Sequence, residues 1–297
     1  MDYHSRFSLK HWRWLGWLLS LGALVFVGRW LWQLDRTIWD HLNNLQFAWL
    51  ILALVVWQFW YLLRYRAWEW ISARLGYEQA RHVSLRMWAI SELLRYIPGN
   101  IWSFAARYRG LREGGTNRGA ALQTLLIEAV GLVTSAMTIS CIVAWQLIWL
   151  LGIPLIAGVT IFILPRFIPL IWRKLRPHEP VPNIQPSDMA MIMAWYLLGW
   201  LIFGLGSAFV YLAFGAAVPW VNLWPLIWVS VAAWLIGYIS IVTPMGLGVR
   251  EVGFVGLISH WVSVGVGSLV AVTSRLWLVV SELVFLGLVM IISHRRS

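Results

Sequence analysis

Residues 188–213 read DMAMIMAWYLLGWLIFGLGSAFVYLA, an apolar run whose only charged residue is Asp188 at its start. A helix rises about 1.5 Å per residue, so this run is long enough to cross the roughly 30 Å hydrocarbon core of a bilayer. A segment in that core has no water to bond its backbone, and a helix satisfies its own N–H and C=O groups. The run therefore predicts a transmembrane helix.

The composition extends this prediction to the whole chain. Its 297 residues are 60% hydrophobic and only 12% charged, and the mean hydropathy is +0.72. A soluble domain has about 25% charged residues because its surface faces water. We therefore expect an all-α integral membrane protein that forms a single polytopic domain over residues 1–297.

About seven to eight transmembrane helices are expected, since apolar runs of similar length recur along the chain. Uninterrupted spans are predicted at residues 14–34, 45–63, 120–143, 145–171, 188–213, 222–243 and 264–292. Tryptophans near the ends of several runs, such as Trp30 and Trp32, fit the aromatic belt of a membrane interface.

Basic residues outside the spans predict the orientation. They lie mainly before the first span, after the second and after the fourth: Arg6, Lys10, Arg13, Arg64, Arg66, Arg74, Arg81, Arg173, Lys174 and Arg176. Positively charged loops stay in the cytoplasm, so we expect a cytoplasmic N-terminus in a prokaryotic cytoplasmic (inner) membrane. The net charge of +11 is explained by these loops and by anionic lipid, and nucleic acid is not expected as a partner.

Two further apolar segments, residues 83–106 and 244–262, are interrupted. The first contains Arg95-Tyr96-Ile97-Pro98-Gly99-Asn100-Ile101-Trp102, and the second contains Thr243-Pro244-Met245-Gly246-Leu247-Gly248-Val249-Arg250-Glu251. Proline removes a backbone donor and stops a helix, and glycine tolerates the turn that follows. Each segment is expected either to re-enter on one side of the membrane or to cross it as a broken helix.

A new helix is expected to begin at Ile101 after the first break and near Val249 after the second. Each start presents unpaired N–H groups and the positive end of the helix dipole, which favour an anion. The predicted structural breaks are Pro98, Gly99 and Asn100 in the first segment and Pro244, Gly246 and Gly248 in the second. Nearby guanidinium groups could donate paired hydrogen bonds to a phosphate. Lipid or headgroup contacts are accordingly predicted for Arg107, Arg109, Arg112 and Arg250.

The two breaks also indicate an internal repeat. One half covers about residues 1–143 with the break in 83–106, and the other covers about 145–297 with the break in 244–262. Interrupted helices in both halves of a transporter are a sequence indicator of its substrate site. Kinks in packed helices are the alternative explanation of these prolines and glycines.

Charged residues inside the apolar runs are the remaining candidates. Charges at membrane depth are costly and usually face a partner or a cavity. Glu128, Glu251, Arg275 and Glu282 are predicted either to contact the ligand or to form internal ion pairs, such as Glu282 with Arg250 or Arg275. We interpret Glu92 and Arg95 as a local pair on an interfacial helix.

The two interrupted motifs resemble those of the lysylphosphatidylglycerol synthase/flippase family. The matching stretches are residues 95–102 and Pro244-Met245-Gly246-Leu247-Gly248-Val249-Arg250-Glu251. The family usually has Pro-Gly-Gly at residues 244–246 and often Lys at Asn100. It has Glu-Arg where this chain has Glu128-Ala129, and an Arg at Arg275. The resemblance implies a lipid-handling membrane domain, which in the full-length members translocates aminoacylated phosphatidylglycerol; other members are linked to polyprenyl-phosphate glycolipids.

We therefore expect a flippase or transporter of an anionic phospholipid or polyprenyl-phosphate-linked headgroup, and not an enzyme, since these residues leave no room for the aminoacyl-transferase domain. No catalytic residue, cofactor or metal is predicted. The alternatives are a membrane transferase acting on a lipid-linked sugar, with Glu251 and His260 as its candidate acid–base pair, and a non-catalytic assembly partner. Membrane lipids are the expected partners, and a homo-oligomer or a lipid-modifying enzyme are the protein partners considered.

Overall fold

The computed structural model describes residues 45–96, 101–143, 147–175, 184–215, 223–240 and 246–294, and these ranges contain helices and no strand. The α-helices are α1 (Phe47–Arg74), α2 (Arg81–Leu93), α3 (Trp102–Glu113), α4 (Arg118–Val143), α5 (Leu147–Gly158), α6 (Leu164–Leu175), α7 (Pro186–Leu212), α8 (Leu223–Ile239), α9 (Val249–Ile258) and α10 (Val264–His294). A 3-10 turn, Leu94–Tyr96, follows α2, and a π-helical turn, Val159–Ile163, joins α5 to α6. The all-α prediction is confirmed.

Four of these helices, α1, α4, α7 and α10, are long and apolar enough to cross a membrane. The predicted spans 120–143, 188–213 and 264–292 correspond to α4, α7 and α10, whose ends lie within two residues of the predictions. The prediction 222–243 corresponds to the shorter α8, and 145–171 to α5, the π turn and α6. The predicted span 14–34 lies outside the described residues.

The second span is longer than predicted. It was expected to end at residue 63, with Arg64 and Arg66 in a loop, but α1 continues to Arg74. Arg64 is buried inside the helix bundle, where it pairs with Glu92 and lies 5.3 Å from the ring of Trp60. Because the charge is neutralised within the protein, it does not end the helix.

The first interrupted segment forms a helical hairpin of α2 and α3. The two helices pack together, and Gln79 before α2 donates a hydrogen bond of 3.4 Å to the carbonyl of Gly114 after α3. The chain therefore enters and leaves the hairpin at the same end. At about 1.5 Å per residue, α2 and α3 are each near 20 Å long, which is shorter than a bilayer core.

The second interrupted segment forms a similar hairpin of α8 and α9. Gly237, near the end of α8, packs against Gly246 so closely that a Cβ on Gly246 would lie 2.4 Å from the Cα of Gly237. Ile236 faces Gly253 on the next turn of α9. The two helices therefore run antiparallel from the break between them.

Hydrogen bonds define the two ends of the bundle. The first end contains the start of α1 and the end of α7, joined by Gln46 N–H to Ala213 O at 2.7 Å. The second end contains the start of α2 and the end of α10, joined by Ser293 Oγ to His82 O at 3.3 Å. Helix α1 runs from the first end to the second and α7 runs back, since Trp57 donates to Phe203 O at 3.0 Å and Trp49 stacks on Phe209.

The element order long–short–short–long occurs twice, as α1 to α4 and as α7 to α10. The first set begins at the first end and the second set begins at the second end, so their directions are opposite. Each set also packs its first short helix against the last long helix of the other set: α2 contacts α10, and α8 contacts α4. The two hairpins thus enter the bundle from opposite ends.

Candidate functional site: a charged cavity between the two hairpins

A cavity of about 330 Å³ lies where residues flanking both breaks come together. Four arginines and two glutamates face it, together with aromatic and aliphatic side chains. Its lining consists of Arg64, Glu92, Arg95, Ile101, Ser103, Phe104, Arg107, Glu128, Ala129, Leu132, Trp234, Tyr238 and Arg250. These residues come from α1, both hairpins and α4.

Glu92 is the centre of the ion-pair network in this cavity. Its carboxylate accepts hydrogen bonds from Arg64 of α1 and Arg107 of α3, and from Arg95 at 2.9 Å. The ring of Trp88 lies between two of these cations, 5.4 Å from the guanidinium carbon of Arg64 and 5.3 Å from that of Arg107. Glu92 is 2% exposed, so these contacts replace the hydration of its carboxylate.

Two further glutamates complete the network. Glu128 of α4 accepts from Arg107, and Glu282 of α10 accepts from Arg95 at 3.0 Å and from the hydroxyl of Tyr96 at 2.7 Å. Three arginines therefore face three glutamates, and their formal charges cancel.

Glu282 forms an internal ion pair, one of the two roles predicted for it, but its partner is Arg95. The suggested partners Arg250 and Arg275 are wrong, because the hairpin of α2 and α3 brings Arg95 to Glu282. The interpretation of Glu92 and Arg95 as a local interfacial pair needs correction as well. The pair exists, but it is buried and joined to three other helices.

Arg250 differs from the other arginines of the cavity. Within the described ranges it has no carboxylate within 4.0 Å, although its guanidinium lies 5.6 Å from the ring centroid of Phe203. A positive charge away from water is costly unless an anion compensates it. Arg250 therefore gives the cavity a cation that is available to a ligand.

The neighbouring Glu251 forms an internal ion pair, which is one of the two roles predicted for it. It accepts a hydrogen bond from Gly248 N–H at 2.7 Å, at the N-terminus of α9, and another from Arg275 at 2.6 Å. The positive end of α9 is thus occupied by a carboxylate of the protein itself. The first turn of α3 has no acidic residue and no side-chain cap, and its Ile101 and Ser103 face the cavity.

Two of the predicted arginines lie away from the cavity. The Arg109 side chain is 81% exposed and pairs with Glu113, and Arg112 donates to the carbonyl of Thr116 at 2.6 Å. Successive residues of a helix are 100° apart, so Arg107 and Arg109 lie on nearly opposite sides of α3. The expected single cluster of Arg107, Arg109 and Arg112 is therefore not formed.

The breaks themselves are described only in part. Pro98, Gly99, Asn100 and Pro244 lie outside the described residues. Gly246 and Gly248 have φ values of +67° and +81°, a conformation that glycine adopts without strain. The new helices begin at Trp102 and Val249, close to the predicted positions.

The candidate acid–base pair of the transferase alternative is not assembled. Glu251 lies in the first turn of α9, whereas His260 follows the end of this helix and lies beside Trp261, with the two rings tilted by 57°. The two residues are separated by the length of α9, about 14 Å along its axis. The described residues also contain no group of three metal-ligating side chains.

Several residues that line the cavity were not predicted from the sequence, among them Arg64, Trp234 and Tyr238. Arg64 could have been found from the apolar residues that continue at helical spacing beyond it, at Trp68 and Ile71. Trp234 and Tyr238 lie one turn apart on α8 with stacked rings. Nothing in the sequence distinguishes them from the many other aromatic residues.

A family model described as the lysylphosphatidylglycerol synthase TM region matches residues 13–285, which include both hairpins and every residue of the cavity. No curated protein and no solved structure matches this chain. The family match covers most of the sequence, so the chain belongs to the family of the lysylphosphatidylglycerol synthase transmembrane region.

Proposed function

We propose that the protein binds the phosphate group of an anionic membrane lipid in this cavity and moves the lipid between the leaflets. The observation that carries the proposal is the charge balance of the cavity. Arg64, Arg95 and Arg107 are neutralised by glutamates, whereas Arg250 lacks a carboxylate partner in the described part of the chain. A phosphate is the complement of a guanidinium, which can donate two parallel hydrogen bonds to it.

The size of the cavity supports a headgroup as its occupant. Ligand sites typically have volumes of about 300–1,000 Å³, and this cavity of about 330 Å³ lies at the lower limit. A headgroup could be bound there while the acyl or prenyl chains remain in the lipid.

The hairpins supply a route for such movement. In our proposal both are re-entrant, one from each side of the membrane, with their breaks near the midplane. Broken helices of inverted repeats surround the substrate in several transporters, where one repeat moves against the other around a fixed site. Opposite entry of the α2–α3 and α8–α9 hairpins supports an internal repeat of this kind.

The same arrangement supports a cytoplasmic second end. Basic residues of the described loops and helix ends concentrate there, including Arg74, Arg81, Arg118 and Arg173. Positive residues favour the cytoplasmic side. We propose that the protein resides in a prokaryotic inner membrane with this end inside.

Transport by the purified protein tests the proposal. Proteoliposomes would contain phosphatidylglycerol labelled on one acyl chain, and the leaflet distribution would be followed by quenching with an impermeant reductant. Replacing Arg250 by Gln should reduce the protein-dependent rate at least about tenfold, because a charge-assisted contact with phosphate is lost.

The matched control is Arg86→Gln, which removes an exposed arginine of α2 that faces away from the cavity. This variant should transport lipid at the native rate. Equal rates for native protein and Arg250→Gln would contradict the proposed site. Product formed from a donor lipid without any change of leaflet would instead indicate a transferase.

A further inference from the structure

A second and much smaller cavity also borders Arg250. Its volume is about 10 Å³, close to the roughly 10–15 Å³ that one water molecule requires. Side chains of α7, α8, α9 and α10 line it, and the polar ones are Ser207, Ser230, Arg250, Glu251 and Ser274. The three serines and Glu251 are each at most 4% exposed. This serine cavity is distinct from the charged cavity, but Arg250 lines both.

The hydroxyl of Ser274, on α10, lacks a hydrogen-bond partner in the part of the chain that the structure describes. Its oxygen is buried inside the helix bundle. Buried polar atoms are nearly always bonded to the protein or to an ordered water, because an unbonded one has lost its hydration without compensation. Ser274 therefore indicates that the serine cavity holds a ligand with at least one hydrogen-bonding atom.

The other two serines offer acceptors to such a ligand. Ser207 donates to the carbonyl of Phe203 at 3.4 Å, and Ser230 donates to that of Leu226 at 2.6 Å, each one turn earlier in its own helix. A hydroxyl has a single hydrogen but also acceptor lone pairs, so both oxygens can still accept. Arg250 is the opposite case, since a guanidinium only donates. The ligand must therefore both donate and accept.

The charges and the size of the serine cavity select among small ligands. A sodium ion would match the serine oxygens but would be repelled by Arg250 at short range. A chloride ion would be attracted by Arg250, but it would face the Glu251 carboxylate and the lone pairs of Ser207 and Ser230, and it is larger than water. Water is neutral and both donates and accepts, so it matches the whole lining.

We propose that the serine cavity binds one water molecule, which accepts a hydrogen bond from the Arg250 guanidinium and is held by the three serine hydroxyls. A bridging water is nearly as favourable as a direct hydrogen bond. It hydrates part of the guanidinium inside the bundle, where a charge without solvent is costly. Because water is neutral, Arg250 keeps its net charge toward the charged cavity. The inference holds whatever molecule the charged cavity binds.

Radiolytic labelling of the native protein tests this assignment. Synchrotron X-rays convert bound water into hydroxyl radicals, which oxidise the side chain beside it. Phe254 of α9 lines the serine cavity and is 5% exposed, whereas Phe285 of α10 is 8% exposed, packs beside the rings of Tyr61 and Trp88, and lines neither cavity. The full chain in nanodiscs would be irradiated in short pulses, and oxidation would be located by mass spectrometry.

Phe254 should be oxidised severalfold faster than Phe285, although it is the less exposed of the two. The residues have the same intrinsic reactivity, so the ratio reports the water beside Phe254. Equal rates in the native protein, or faster oxidation of Phe285, would overturn the proposal.

Two variants of α10 locate the water. Ser274→Val removes the free hydroxyl and fills the serine cavity, so oxidation of Phe254 should fall to the rate of Phe285. Thr273→Val is the matched control, because it removes a hydroxyl from the next residue, which does not line the serine cavity. It should leave the oxidation of Phe254 at the native rate. Size-exclusion chromatography identifies the folded variants, and if Ser274→Val does not fold, the native comparison of Phe254 with Phe285 decides.

Fast oxidation of Phe254 that persists in folded Ser274→Val would overturn the proposal, because the radicals would then come from water elsewhere. An ion in place of water is distinguished by salt. If the oxidation of Phe254 changes when sodium chloride is replaced by sodium gluconate or by choline chloride, the serine cavity binds chloride or sodium, and the assignment to water is overturned.

Discussion

Glu92 joins three helices through one carboxylate. It bonds Arg64 of α1, Arg107 of α3 and Arg95 at the end of its own helix, all with little solvent access. Removing one partner from a buried ion pair leaves an uncompensated charge, which costs more than the pair itself contributes. The stability of the hairpin thus depends on this residue more than on the surrounding arginines individually.

Replacing Glu92 by Gln should therefore destabilise the protein by about 3–5 kcal/mol. The measurement is thermal or denaturant unfolding in detergent, followed by size-exclusion chromatography. Glu113→Gln is the matched control, because Glu113 forms an exposed pair with Arg109 worth about 0–1 kcal/mol. Equal unfolding midpoints for the two variants would contradict the central role of Glu92.

The ion pair between Glu251 and Arg275 can be tested with a double-mutant cycle. Glu251→Gln and Arg275→Gln each remove one charge of this partly buried pair, whereas the double variant removes both. We expect the double variant to be more stable than the sum of the single effects predicts, by about 1–3 kcal/mol. Additive effects on unfolding would show that this pair is not energetically coupled.

At the residue scale the sequence could identify the charged candidates but not their partners. Glu128 was predicted because charges are costly in apolar runs, and Arg107 and Arg250 were predicted because guanidinium groups beside the breaks could bind a phosphate. Which cation meets which carboxylate depends on how the hairpins dock. For that reason the pairing of Glu282 with Arg95, residues far apart in the chain, was not predicted.

At the scale of the element, the hairpin of α8 and α9 depends on two glycines in contact. Gly246 has a positive φ of +67°, and any Cβ placed on it would overlap the backbone of Gly237 at 2.4 Å. The clash is with main-chain atoms, which cannot rotate away as a side chain could. This contact sets how closely α9 can approach the end of α8.

Gly246→Ala should destabilise the protein by about 1–3 kcal/mol or more, since backbone strain adds to the steric overlap. Gly256→Ala, in α9, is the control because a Cβ there meets no atom within 4 Å. It should be neutral or stabilising by up to about 1 kcal/mol. Unfolding temperatures of both variants test the difference, and a native-like Gly246→Ala would show that the contact is not required.

The existence of both hairpins could be predicted from Pro and Gly in apolar sequence, but their lengths could not. Helix α1 was predicted too short because Arg64 was taken as a surface charge. The start of α9 at Val249 was predicted well, since Gly248 and Glu251 give a local signal for a helix N-terminus. Local chemistry determines where these helices begin, whereas tertiary pairing determines where a charged helix continues.

At the scale of the whole molecule, the path of the chain assigns loops to the two ends of the bundle. Gln79 and Asn117 flank the α2–α3 hairpin at the second end, whereas Gln46 lies before α1 and Ser263 before α10 at the first end. Side chains at all four positions are exposed. The proposed orientation places the second end in the cytoplasm.

Single cysteines at these positions, in a Cys141→Ala background, test the topology by labelling of intact cells with an impermeant maleimide. Cysteine at Gln46 or Ser263 should react, and cysteine at Gln79 or Asn117 should react only after the cells are opened. Labelling of 79 and 117 on opposite sides would contradict a re-entrant α2–α3 hairpin. Labelling of both in intact cells would reverse the orientation but keep the hairpin.

The paired breaks and similar halves were visible in the sequence because each half repeats the same local pattern. No local pattern in the sequence predicts that the two halves run in opposite directions. Their directions depend on how many times the chain crosses the membrane between them. The exchange of contacts between the two sets, of α2 with α10 and of α8 with α4, is seen only in the packing.

An experimental structure of the protein in nanodiscs containing phosphatidylglycerol would test most directly whether the cavity binds a lipid phosphate at Arg250. A lipid phosphate should lie within hydrogen-bond distance of the Arg250 guanidinium. A cavity filled by acyl chains, or a phosphate bound elsewhere while Arg250 contacts a carboxylate of the protein, would contradict it.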